Sequence, residues 1–314
     1  TSQENTEIYM LKTDPNGQDE WLKTFYYGLW NAYDPIWPRS IQQTNDGGYI
    51  IVGDRDLGGT RAIYLIKTDS EGEQEWEENF QETNGSLDWG YSVQQTSDGG
   101  YIVAGCIREA GSYCQNQDAY LMKINVDGVK QWSQTFGQTM NDIGYSVEQT
   151  SDGGYIICGG QEWGEFDGDC KESNNSHNNV YLIKTDENGN EQWSQTFGGI
   201  SDDVGYSVQQ TSDGGYILAG SYGGDLNSNG NLVSNNIYLL KTDSEGNING
   251  NTNVIISPDD VIWIDPDWAD FDWELYWDDL DLGIVVDWDN LPWSSIIASN
   301  VQPEDLIYYI IFQN

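Results

Sequence analysis

Along most of the chain, apolar and polar residues alternate in short runs, and turns rich in Asp and Gly separate the runs. The stretch from Gly90 to Phe136 shows the pattern plainly. Gly90–Thr96 reads GYSVQQT, with Tyr91 and Val93 alternating against polar neighbours, and a Ser-Asp-Gly-Gly turn follows. Tyr101–Gly105 (YIVAG) is a second run and Ala119–Asn125 (AYLMKIN) a third. Lys130–Phe136 (KQWSQTF), after a Val-Asp-Gly turn, is a fourth. Period-two alternation, closely spaced turn signals and almost no helical periodicity predict an all-β chain.

The text repeats. The Asp-Gly-Gly-Tyr-Ile segment or its near copy begins at Asn45, Ser97, Ser151 and Ser212, a spacing of about 52 to 61 residues, within the range of propeller repeats. A Tyr-Leu-Ile-Lys-Thr-Asp segment or a variant begins at Tyr9, Tyr64, Tyr120, Tyr181 and Tyr238. Each turn from third to fourth strand carries Gly-x-x-x-Trp, at Gly17/Trp21, Gly72/Trp76, Gly128/Trp132 and Gly189/Trp193. A large ring at one fixed place per repeat can wedge between neighbouring sheets, so these tryptophans are the expected blade-docking residues. The fifth copy breaks the pattern, with Gly250 standing where Trp would follow Gly246.

The combined text, DGGYIVAG with YLIKTDxxGxxxW, resembles the tandem β-propeller repeats of secreted bacterial and archaeal proteins. Its turn-plus-Trp element looks like the tryptophan-docking turn of quinoprotein-type propellers. The resemblance covers residues 7–249. It implies a β-propeller of about five four-stranded blades, or six if the tail forms a blade of its own. It implies little about function, because propellers host many activities.

The strand count is uneven. The chain opens on a third strand (Glu7–Thr13) and a fourth (Glu20–Phe25) and closes its repeats on a third strand ending at Thr242. Residues 1–250 are thus the propeller repeats. Residues 251–314 are an extension expected to close the ring or to pair with a neighbouring subunit, since open strand edges are sticky. The extension lacks Lys and Arg, alternates Trp with Asp, and offers Asn253–Ile256, Val261–Ile264, Trp273–Trp277, Gly283–Trp288 and Leu306–Phe312 as strands. The β-prone run Leu306, Ile307, Tyr308, Tyr309, Ile310, Ile311 and Phe312 is the candidate assembly strand.

Acidic residues outnumber basic ones 52 to 12, a formal net charge of −40. That excess argues against nucleic acid or an anionic membrane surface as partner. No apolar run is long enough to insert in a membrane. The acid reads first as solvated surface. The dense group Asp265, Asp267, Asp270, Asp272, Asp278, Asp279 and Asp281 is the candidate cation site, with Ca2+ the candidate ion, although no EF-hand spacing supports it. Asp88, Asp142 and Asp203 recur just before the first strand of successive repeats, where a strand-start hydrogen bond is the stronger reading and a cation ligand the weaker.

Cys106, Cys114, Cys158 and Cys170 fall in two close pairs beside one type of connection. Their connectivity is open. Cys106–Cys114 and Cys158–Cys170 are the favoured disulfides, and disulfides imply an extracellular or cell-surface location. Asn84 and Asn174 head glycosylation sequons.

Catalytic signals are weak. His177 is the single histidine, in a polar loop, and nothing marks a nucleophile beside it. Carboxylates are too abundant for any glycosidase pair to stand out. Quinoprotein-like activity would follow from fold analogy alone. The expectation is therefore a non-catalytic extracellular structural protein that self-assembles into filaments or a surface layer by donating its tail strand, without a required cofactor. The alternative is a monomeric secreted propeller that binds a glycan, for which exposed Trp beside Asp is suited.

Overall fold

The computed structural model describes residues 7–26, 35–83, 85–108, 116–137, 140–163, 177–199, 201–223, 236–248 and 253–256. The described residues are all-β, in successive antiparallel meanders of a propeller-like kind. Among the described residues the first sheet holds β1 (Glu7–Thr13) and β2 (Asp19–Tyr26). The second unit is β3 (Ile36–Gln43), β4 (Tyr49–Asp56), β5 (Arg61–Thr68) and β6 (Gln74–Phe80). The third is β7 (Leu87–Gln95), β8 (Tyr101–Arg108), β9 (Asp118–Ile124) and β10 (Lys130–Phe136). A single parallel bridge, Arg61 to Leu87, joins these two units.

The fourth unit is β11 (Asp142–Gln149), β12 (Tyr155–Trp163), β13 (His177–Thr185) and β14 (Glu191–Phe197). The fifth is β15 (Asp203–Gln210), β16 (Tyr216–Tyr222), β17 (Asn236–Thr242) and β18 (Asn253–Ile256). The repeat text stops after a third strand here, and β18 supplies the fourth by pairing Ile237 with Ile256 through Leu240 with Asn253.

The turn between first and second strands shows why the repeat is written as it is. Gly99 takes φ +84°, where an L side chain is strained, and its N–H donates to the Thr96 carbonyl. Gly100 is needed for space, because a Cβ there would lie 2.4 Å from the Ile124 carbonyl oxygen. The Asp98 carboxylate accepts from the Gly100 N–H at 2.9 Å and pairs with the buried Lys123 ammonium at 3.0 Å. The same Asp–Lys pair recurs as Asp46–Lys67, Asp152–Lys184 and Asp213–Lys241, each at 2.9 Å, tying the turn to the third strand.

Neighbouring units meet in two places. Each Trp of a fourth strand lies against the next unit: Trp21 by Tyr49, Trp76 by Tyr101, Trp132 by Tyr155 and Trp193 by Tyr216, with ring centroids 5.8–6.0 Å apart. A Cβ on Gly189 would lie 2.5 Å from the Trp132 ring, and one on Gly246 2.7 Å from the Trp193 ring. The first strands stand side by side and are stitched by side chains. Gln42 accepts from the Gln95 N–H, Gln94 from that of Gln149 and Glu148 from that of Gln210, at 2.5–2.6 Å. Apolar clusters fill the space between sheets, for example Ile102, Leu121, Val147, Ile157 and Ile183.

The expected disulfides are corrected here. Cys106 and Cys158 are free, buried thiols. They sit in mid-sheet, opposite Ala119 and Leu182, rather than in a loop. The sequence spacing placed them beside the variable connections, but the second strands run further than the repeat text shows. Cys114 and Cys170 lie outside the described residues. With Cys106 and Cys158 reduced, cysteine usage no longer argues for an oxidising compartment.

Candidate functional site

Each first strand carries a bulge at one place: Pro38/Ser40, Gly90/Ser92, Gly144/Ser146 and Gly205/Ser207. The extra residue leaves the pairing and turns towards the neighbouring first strand. In three units that residue is Tyr91, Tyr145 or Tyr206, and their rings form an arc with centroids 5.0 and 5.3 Å apart. In the second unit it is Arg39, whose guanidinium caps the arc 5.4 Å from the Tyr91 centroid.

Arg39 is one of several departures from the repeat in that unit. Asp54 stands at the β4 position where β8 has Cys106, β12 has Gly160 and β16 has Ser221. It is wholly buried. Its Oδ1 accepts from Arg39 Nε at 3.0 Å, and Oδ2 lies 3.1 Å from a terminal nitrogen of Arg61, an ion pair without hydrogen-bond alignment. Burial outweighs both guanidinium ions and pushes the Asp54 carboxyl above its ordinary range. Arg61 stacks on Trp37 at 4.3 Å and approaches Trp89 at 5.4 Å, with Arg108 at 5.9 Å from Trp89. Arg55, next to Asp54 in β4, lies over Tyr64 at 5.8 Å.

These are all four arginines of a chain whose net charge is −40. They come from β3, β4, β5 and β8, with Trp89 from β7. They share the end of the sheets where second strands lead to third strands. The connection there is short in the second unit, residues 57–60, and longer in the others, at 109–117, 164–176 and 223–235. Arg39 and Arg61, held by a buried carboxylate and, for Arg61, flanked by indole faces, are of the residue type that suits a planar anionic group.

The recurring aspartates are structural. Asp88 Oδ2 accepts from the Glu82 N–H at 2.9 Å and the Ser86 hydroxyl at 3.0 Å. Asp203 accepts from the N–H groups of Gly199 and Gly223 at 2.9 and 3.1 Å. Both are buried, as is Asp142, and Asp88 and Asp203 hold the loops that enter their first strands. Burial pushes the Asp88 carboxyl up to about 6, against the bonds from Glu82 and Ser86. Among the described residues no group of three or more Asp, Glu, His or Cys is placed to hold a metal ion. His177 opens β13 opposite Trp163.

The acidic group Asp265–Asp281, the strand Leu306–Phe312 and the sequons at Asn84 and Asn174 lie outside the described residues. Sequence reasoning missed the arginine cluster. A signal was present: every arginine lies before residue 109, at positions 39, 55, 61 and 108.

No protein-family model matches the chain, and no curated protein matches it. Among solved structures it is similar to an exo-beta-1,3-galactanase from Bifidobacterium bifidum s17, at 13% identity and a TM-score of 0.37, covering 72% of each chain. It is also similar to an exo-1,5-alpha-L-arabinanase from a bovine ruminal metagenomic library, at 12% identity and a TM-score of 0.37, covering 82% of this chain and 94% of that one. Likeness at this level assigns no substrate, mechanism or residue role to the chain. The expectation of a non-catalytic, self-assembling structural protein is corrected here. Both similar structures bear glycosidase names, and the strand on which assembly rested lies outside the described residues. The self-assembly reading is withdrawn.

Proposed function

We propose that this protein is carbohydrate-active and takes a carboxylate-bearing saccharide at the cluster of Arg39, Arg61, Trp37 and Trp89. The observation that carries the proposal is the pairing of Arg39 and Arg61, two of only four arginines, with one buried carboxylate in a strongly acidic chain. A fold does not need this cluster: the three other full units build the same sheet with Tyr in place of Arg39 and with Cys, Gly or Ser in place of Asp54. Arg39 donates Nε to Asp54 and Arg61 pairs with it by charge, and a guanidinium carries five N–H donors in a planar fork that can also face a ligand. Long-range repulsion from the net charge is screened beyond about 8 Å at physiological salt, so the local cations decide.

Asp54 and Asp88 are buried and serve as anchors, so neither is assigned as acid or base on a substrate. The five sheets are taken as the blades of one ring, with the cluster on the face that bears the connections from second to third strands. A panel of neutral, uronate and sulfated oligosaccharides, read for binding and for release of reducing ends, tests the reading. Preference for uronates supports it. Equal or better binding of the neutral members refutes it.

A further inference from the structure

Among the described residues the first sheet has two strands where each other unit has four. β1 holds the place of β5, β9, β13 and β17, and β2 the place of a fourth strand; no described strand pairs with the other edge of β1. Exposure records the gap. Leu11 is 53% exposed, whereas its counterparts Ile66, Met122 and Ile183 are at 0–1%. Tyr9 is 66% exposed, against 1–6% for Tyr64, Tyr120 and Tyr181. The Lys12 side chain is 39% exposed where that of Lys67 is at 2%. A cleft of about 340 Å³ runs between β1 and the β3–β4 hairpin, lined by Met10, Leu11, Arg39 and Ile41 among others. An apolar strand face of this kind is buried in every complete unit.

The chain carries a text that fits the gap. In the full units the end of the first strand and the start of the second keep one spacing. They read Ile41-Gln42 then Tyr49-Ile50-Ile51, Val93-Gln94 then Tyr101-Ile102-Val103, and Val208-Gln209 then Tyr216-Ile217-Leu218. Beyond β18 the same spacing returns as Val301-Gln302 then Tyr309-Ile310-Ile311. Ile307 and Tyr308 stand where the Gly-Gly pair would be. We propose that residues 301–312 complete the first sheet of their own chain, with Tyr309–Phe312 paired to the edge of β1 opposite β2.

The register follows from the complete units. Ile51 faces Ile66 and Tyr49 faces Thr68, which sets Ile311 opposite Leu11 and Tyr309 opposite Thr13. Strand addition pairs the N–H and C=O groups on the edge of β1 opposite β2 and covers Leu11 in one step. Residues 257–300 link β18 to this segment, and a linker of that length reaches on the order of 100 Å when extended. A tethered strand competes at an effective concentration of about 1 mM, which favours the same chain over a second copy.

The test uses the full-length protein with Leu11→Cys and Ile311→Cys, oxidised at low concentration and mapped by peptide mass. The expected product is a monomer with a disulfide between positions 11 and 311. The pair Leu11→Cys with Ile310→Cys, whose second member points to the opposite face, should link at least tenfold less. Hydrogen exchange supplies an independent reading: full-length Ile311→Asp should exchange at least tenfold faster across residues 8–12, with β7–β14 unchanged. A link between two chains, no link, or unchanged exchange overturns the proposal.

Discussion

The Glu148 carboxylate accepts the backbone N–H of Gln210 at 2.5 Å, in the contact that Gln42 makes to Gln95 and Gln94 makes to Gln149. Three adjacent joints between first strands thus use one geometry, and only one uses a charged acceptor. Burial raises the Glu148 carboxyl above its ordinary value, against the Gln210 bond. A raised carboxyl binds its proton more tightly in the folded state, so the ionised form weakens the fold at neutral pH and the loss is relieved on acidification. Glu148→Gln keeps the carbonyl acceptor and removes the charge. It is expected to stabilise the protein by roughly 1 kcal/mol at pH 7 and by less near pH 4, measured by urea unfolding at both.

Four turn aspartates act in the opposite direction. Hydrogen bonds from Thr211 and Lys241 hold the Asp213 carboxyl down at about 2. Asp46 is held at about 2 first by Thr44, and Asp98 and Asp152 reach about 2 although burial opposes it. Their contribution is complete above the ordinary Asp value near 3.8 and is lost as pH falls towards 2. Asp88, raised to about 6, adds a weaker trend of the other sign between about 6 and 4. The stability profile should be shallow above pH 4 and fall steeply between 4 and 2. Thermal unfolding across that range checks it, and a flat profile would show that the turn pairs contribute nothing.

Trp132 packs against Tyr155 of the next unit and closes over Gly189. Trp132→Ala should cost about 3 kcal/mol by leaving a cavity between two sheets. Trp163, exposed at the end of β12, should tolerate the same change within about 0.5 kcal/mol. Denaturant midpoints of the two variants make the comparison.

Cys106 and Cys158 are buried, and burial pushes both thiols far above their ordinary value. Neither should react with iodoacetamide in the folded protein at pH 8, and both should react in urea. Peptide masses after alkylation give the answer directly.

The sheets were legible because the repeat spells out what each position needs. Gly99 supplies a left-handed turn, Gly100 makes room for the Ile124 carbonyl, and Asp98 meets Lys123, so the same letters recur wherever the same contacts do. Alternation alone also marked Asn253–Ile256 as a strand. The site was hidden for the complementary reason. Arg39, Asp54, Arg61, Trp89 and Arg108 are non-repeating letters from five strands, and only the register of β3, β4, β5, β7 and β8 brings them together. Plain alternation also leaves Tyr91 within the sheet, whereas the bulge between Gly90 and Ser92 turns it towards Tyr145. Cys106 and Cys158 misled because spacing to the next cysteine says nothing of how far a strand runs.

The central claim is that the arginine cluster recognises a carboxylated saccharide. Calorimetric titration of the full-length protein with a galacturonate tetramer tests it most directly, alongside Arg61→Lys and the neutral galactose tetramer. Arg61→Lys keeps the charge beside Asp54 but loses the planar fork that spans a carboxylate. The account predicts binding of the galacturonate that weakens at least tenfold in Arg61→Lys and with added salt, while the neutral tetramer binds weakly to both proteins. Equal affinity for the two sugars, or a galacturonate affinity that Arg61→Lys leaves unchanged, would contradict it.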